Sequence, residues 1–177
     1  MAYHALKNRA DAEDVMQTTL LRLLQHEFDY TGTIQSSVSF DYFPCPVADP
    51  GRLTAEILEE LSPEAAQWQF LREFAQLELS PDLLWQPFDT LSGGEQTKVL
   101  LAALFLREGS FPLIDEPTNH LDTHGREILS RWLRRQKGYI LVSHDRVFLD
   151  SCTDHILSLN RTGVEVQSGR FSDWMEN

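Results

Sequence analysis

An α/β fold with a helical insert is what this sequence predicts, on three observations. The run at 111–114, FPLI, is short and apolar in the manner of a buried strand, and it ends on two adjacent carboxylates, Asp115 and Glu116. A second such run at 139–142, YILV, leads to His144. Between the candidate strands lie helical patterns, the longest opened by Ser92-Gly93-Gly94. Ligands of open α/β sheets bind beyond the carboxyl ends of the strands, which is where Asp115, Glu116 and His144 fall.

In chain order, residues 1–17 match no pattern that follows and are expected to be the least well packed part of the fold. From Thr18, TTLLRLLQHEF places Leu20, Leu21, Leu24 and Phe28 on one helical face. A turn at 29–32 leads to short strands at 33–35 and 38–42, the second alternating Val38, Phe40 and Tyr42 and stopped by Pro44 and Pro46. Pro50 and Gly51 open a helical region. Leu53, Ile57 and Leu61 give one helix, and Ser62-Pro63-Glu64 reads as the start of a second carrying Phe70, Phe74 and Leu77. Ser80-Pro81-Asp82 starts a third, short one. The aromatics Trp68, Phe70, Phe74 and Trp85 read as its core.

Thr90 and Ser92 are cap residues for the next helix, whose face is Val99, Ala102, Ala103 and Leu106. Gly93 and Gly94 there let backbone approach a ligand, and a helix start presents unpaired N–H groups to an anion. Pro112 suits the strand at 111–114 only near its beginning, because proline removes a ladder donor. Asp122 is a cap for a helix on Ile128, Leu129, Trp132 and Leu133, which Gly138 terminates. After the strand at 139–142 come a short helix at 146–150 and a hairpin, 155–159 with 164–167.

Composition narrows the function classes. The chain has 177 residues, 42% of them hydrophobic, enough for one core or one two-lobed domain. Its longest apolar run, 99–106, is far short of the roughly 18–20 residues of a membrane span, so a cytoplasmic protein is expected. A net charge of −12 works against direct nucleic-acid binding, since phosphate backbones are held by Lys and Arg. The basic cluster Arg131, Arg134, Arg135 and Lys137 reads as a solvated helix face. Cys45 and Cys152 lack any CxxC spacing and predict no disulfide.

Three motifs in order carry a family resemblance: LSGGEQ at 91–96, IDEP at 114–117 and LVSHD at 141–145. They resemble the signature, Walker B and switch-histidine motifs of an ABC-type ATPase, a P-loop NTPase-like cassette with a helical subdomain. The spelling DEPTNHLD resembles the ABC-F subfamily, soluble twin-cassette ATPases that act on ribosomes, some of them conferring antibiotic resistance by ribosome protection. The resemblance divides the chain into an unmatched segment 1–17, a remnant of the phosphate-loop helix and following strands at 18–48, a helical subdomain at 49–90, and the signature helix, Walker B, switch histidine and C-terminal hairpin at 91–177.

The resemblance implies ATP and Mg²⁺ as cofactors. It makes Thr18 the Mg²⁺-ligating hydroxyl and Thr19 a phosphate contact, gives Asp115 a water-mediated hold on Mg²⁺, and makes Glu116 the group that polarises the attacking water. His144 would meet the γ-phosphate. Ser92, Gly93, Gly94 and Glu95 of the signature would bind ATP held by a second cassette, and Asp122 would lie at that interface. The ribosome would be met by segments this chain does not contain. Two motifs depart from the family pattern. The loop G-x-x-x-x-G-K-[ST] would place its glycines at Asp11 and Met16 and its lysine at Gln17, and the metal-sensing glutamine falls at Cys45. The first β segment of the cassette has no counterpart either, so the chain reads as a cassette lacking its N-terminal part, impaired in hydrolysis. The other reading is a non-catalytic module that offers a signature face; a transporter subunit is disfavoured by NHLD.

Overall fold

A computed structural model describes residues 39–160 and 163–172. The helix expected from Thr18, the strand at 33–35 and the segment 1–17, with Thr18 and Thr19, lie outside the described residues.

Among the described residues three strands form a parallel sheet in the order β1-β2-β3: β1 Ser39–Phe43, β2 Ser110–Asp115 and β3 Ile140–Val142. Phe40 pairs with Phe111 and Ile114 with Leu141. Pro112, expected near a strand start, stands third in the central strand, opposite Asp41. The ladder explains why this is tolerated. The Glu116 N–H donates to the Val142 carbonyl, and donors in a parallel strand alternate sides, so position 112 also faces β3. β3 begins only opposite Leu113, hence the missing donor falls beyond the end of that ladder. β3 itself is half-buried rather than buried, lying at the edge among the described strands.

The helical region holds α1 Thr54–Leu61, α2 Gln67–Gln76 and two 3₁₀ turns, Pro81–Trp85 and Phe88–Thr90. Ser62 does not start the second helix. Its buried hydroxyl donates to the Ala103 carbonyl at 2.7 Å, and α2 begins at Gln67, where the Gln69 side chain accepts from the Ala66 N–H. Ser80 does cap the turn at 81–85 by accepting from the Asp82 N–H. Of the four aromatics expected in the core, Phe70 and Phe74 are buried, whereas Trp68 and Trp85 are more than 60% exposed.

The hub of the molecule is α3, Gly93–Leu106, which packs against α1, α2, β1 and β2. Its predicted face widens to the whole circumference: residues 97–104 are all buried. Lys98 is among them, and its ammonium donates to the Leu77 carbonyl at the C-terminus of α2, where a cation meets the negative end of the helix. Burial pulls the Lys98 pKa down. α4, Thr123–Leu133, is capped by Asp122 and packs against α5, Arg146–Cys152. Gly138 lies four residues beyond the α4 cap Arg134 rather than at it; its φ of 143° lets the chain pass the Phe111 ring, which a Cβ would meet at 3.2 Å. The hairpin forms as β4 His155–Asn160 and β5 Gly163–Ser168.

Candidate active site

Two clusters of expected site residues are built separately, one at the start of α3 and one at the carboxyl end of the sheet. At α3, Ser92 is the N-cap and Glu95 completes a capping box. The Glu95 N–H donates to Ser92 Oγ at 3.3 Å, and the Ser92 N–H and hydroxyl both donate to Glu95 Oε2, at 2.8 and 2.7 Å. Glu95 therefore shapes the helix start. The N–H groups of Gly93 and Gly94 remain outside both the capping box and the helix ladder, as the first turn requires.

The two glycines also have an internal reason. A Cβ on Gly93 would come within 3.1 Å of the His120 side chain, and one on Gly94 within 3.1 Å of the His120 carbonyl. The turn at 117–121 thus lies directly on the start of α3. Asp122, next in the chain, accepts from the Gly125 N–H at 2.7 Å and is committed to capping α4.

At the sheet, β2 delivers Asp115 and Glu116, and β3 delivers Ser143 and His144 beside them. Glu116 has a φ of 45°, a left-handed conformation that costs a non-glycine residue about 1–2 kcal/mol. The turn directs its carboxylate across to β3, where Oε1 accepts from the His144 N–H at 2.7 Å and Oε2 from the Ser143 hydroxyl at 3.4 Å. The His144 imidazole Nε2 stands 3.6 Å from Glu116 Oε1. Burial raises the Glu116 pKa, against the opposing pull of the His144 N–H. A carboxylate so placed is a better proton acceptor than an exposed one.

Asp115 is held from the other side. Tyr42 donates its phenol hydrogen to Asp115 Oδ2 at 2.9 Å, and burial followed by that bond pushes the phenol up to about 12. Asp115 Oδ1 has no hydrogen-bond donor among the described residues. Sequence reading missed both Tyr42 and Ser143. The signal for Tyr42 is its register: it pairs with Leu113, and residues two apart on β2 share a face, so Tyr42 and Asp115 project to the same side.

The donor set fits a divalent ion held mostly by water and phosphate. Among the described residues no three His, Cys, Asp or Glu side chains group as a metal cage, and Mg²⁺ characteristically uses one or two carboxylates and keeps its waters. Cys45 is half-buried against the core, and its burial raises the thiol pKa, so it stands there as a neutral thiol.

The family described as ABC transporter matches residues 17–119, more than half of the chain. The energy-dependent translational throttle protein EttA of Mycobacterium tuberculosis (strain ATCC 25618 / H37Rv) is 33% identical over 174 residues, covering 95% of this chain and 29% of that protein. EttA of Escherichia coli (strain K12) is 39% identical over 107 residues, covering 57% of this chain and 19% of that protein. The chain thus spans less than a third of the length of these relatives. In fold it resembles the solved RNase-L Inhibitor, with a TM-score of 0.67 and 24% identity over 89% of this chain and 33% of that one. Among the described residues no helix is long and apolar enough to cross a membrane.

Proposed function

The chain belongs to the ABC transporter family of ATP-binding domains, and from that premise we propose that it is an ATP-binding cassette of the ABC-F kind, working on ribosomes. The likeness to the translational throttle EttA supports the subfamily, and ribosome protection against antibiotics is one form such work would take. In this reading residues 49–90 are the helical subdomain and 91–177 the ATPase core.

The single observation that carries the proposal is the pairing of Asp115 and Glu116 at the end of the central strand with His144 closing on Glu116 from the next. Asp115, and outside the described residues Thr18, would hold Mg²⁺. When bound, the ion neutralises charge on the phosphate groups. Glu116 accepts a proton from, or orients, the attacking water, and the strands fix its carboxylate through the His144 N–H. His144 would meet an oxygen of the terminal phosphate. Ser92, Gly93, Gly94 and Glu95 form the half-site for nucleotide on a second cassette, with Asp122 beside it; Thr19 would touch phosphate in this chain's own half-site.

A second reading, a non-catalytic module offering its signature face, is favoured by one observation. Asp11 and Met16 stand where the loop glycines are expected, and Gln17 where the loop lysine is. Hydrogen bonds to charged groups are worth about 1.5–3 kcal/mol each, so losing two lowers affinity by roughly 10² to 10⁴. The chain alone is therefore expected to bind MgATP weakly, which isothermal titration measures. A micromolar dissociation constant at physiological salt would overturn that expectation and favour the catalytic reading over the module.

A further inference from the structure

We infer that Tyr42 is a positioning residue for the metal function of Asp115, and that by tying one carboxylate oxygen it biases the site toward small octahedral cations over calcium. The inference rests on the reading of Asp115 as a metal-holding group. Its own evidence is the geometry of β1 against β2.

Tyr42 and Leu113 are register partners, so the phenol starts one pleat short of Asp115 on the same face and reaches along the strand direction to its carboxylate. The bond to Oδ2 is 2.9 Å long and joins two adjacent strands. A carboxylate at the end of a strand otherwise rotates about its last torsion, which is broad and soft. With Oδ2 tied to β1, that rotation is set. Oδ1 is left as the oxygen without a protein donor among the described residues. An ion or its water is then met by one oxygen, not two.

One-oxygen engagement separates ions by chemistry. Ca²⁺ takes six to eight oxygens at variable geometry and readily accepts both oxygens of a carboxylate as well as one, whereas Mg²⁺ and ions like it demand octahedral geometry and retain water. Removing the phenol hydroxyl frees Oδ2, which gives calcium a second oxygen and costs the smaller ion its fixed partner. Partners that orient a ligand in this way typically contribute about 10- to 100-fold in metal affinity.

The test uses the chain itself with Mn²⁺ as the magnesium stand-in, the free hydrated ion being followed by electron paramagnetic resonance, and Ca²⁺ added as competitor. Tyr42→Phe, which keeps the ring and its packing, is expected to weaken Mn²⁺ binding by about 10-fold and to move the Ca²⁺ to Mn²⁺ affinity ratio toward calcium. Asp115→Asn is expected to lose the Mn²⁺ site. Equal weakening of both ions in Tyr42→Phe would mean that the tyrosine only supports packing, and an unchanged ratio overturns the inference. If Asp115→Asn binds Mn²⁺ as the parent does, or the parent does not bind it, the metal reading of Asp115 itself fails and this inference with it. If Asp115→Asn loses binding while Tyr42→Phe retains it, only the role of Tyr42 is overturned.

Discussion

Glu116 combines two unfavourable features in one residue: a left-handed backbone and a carboxylate whose ionised form is disfavoured by burial. Both persist because the end of β2 must turn to bring the side chain to β3, and a strained residue of this kind is common where position matters more than stability. The sign of the pH effect follows from the raised pKa. Between its unfolded and folded values the folded state holds the extra proton, so the contribution of Glu116 to stability falls as pH rises through that interval. Glu116→Gln keeps the shape and removes the charge. It is expected to match the parent in acid and to be the more stable of the two at neutral and alkaline pH, a difference that grows across the carboxylate range and is read from thermal melts at each pH. In a cassette with its phosphate loop restored, the same variant should keep ATP binding and lose about 10² to 10⁴ of turnover. A variant less stable than the parent at pH 8 would show that the hydrogen bonds from His144 and Ser143 outweigh the desolvation of the charge.

At the level of elements, the strands and their terminal residues were legible in the sequence because each is a local pattern, an apolar run followed by the polar residues the site uses. The strand ends at Asp115 and Val142 fall within a residue of where the runs stop. What was not legible depends on contacts between segments far apart in the chain. Ser62 has every local mark of a helix start, yet its hydroxyl is taken by Ala103, 41 residues away. Trp68 and Trp85 share the helical region with Phe70 and Phe74, but composition does not say which turn faces α3. The pair Gly93-Gly94 invites a ligand-approach explanation, and the neighbour that makes glycine necessary is the turn at His120. This leads to a prediction opposite to helix propensity. Alanine in place of a helical glycine ordinarily adds about 1 kcal/mol, but at Gly94 the new Cβ would press on the His120 carbonyl and Leu121 at 3.1–3.2 Å. Overpacking of that kind costs about 1–3 kcal/mol. Gly94→Ala should therefore lower the midpoint of urea unfolding with its slope unchanged; a raised midpoint would mean that the turn yields.

Across the whole molecule the question is whether the helical region and the sheet-bearing part stand or fall together. α3 belongs to both, since it packs on α1 and α2 on one side and on β1 and β2 on another. A second tie crosses through the core. Glu73 of α2 is only 5% exposed, and its Oε2 accepts from the indole N–H of Trp132 in α4 at 2.8 Å and from the Gln76 amide at 3.2 Å, while Arg72 donates to Oε1. Trp132 is itself 1% exposed and stacks edge-on with Phe105 of α3, so the indole joins three helices. A buried carboxylate that loses the indole donor keeps its Arg72 partner but gives up one hydrogen bond, and hydrogen bonds to charged groups contribute about 1.5–3 kcal/mol. Trp132→Phe removes that donor and part of the ring, and should destabilise the chain by about 2–4 kcal/mol on this basis. Glu73→Gln retains an acceptor for the indole and should cost less. Because α3 remains common to both parts, each variant should still unfold in one transition, with tryptophan fluorescence and far-ultraviolet circular dichroism superimposing along the urea axis. If Trp132→Phe instead splits the curve in two, the indole and not α3 is what makes the helical region and the sheet one cooperative unit.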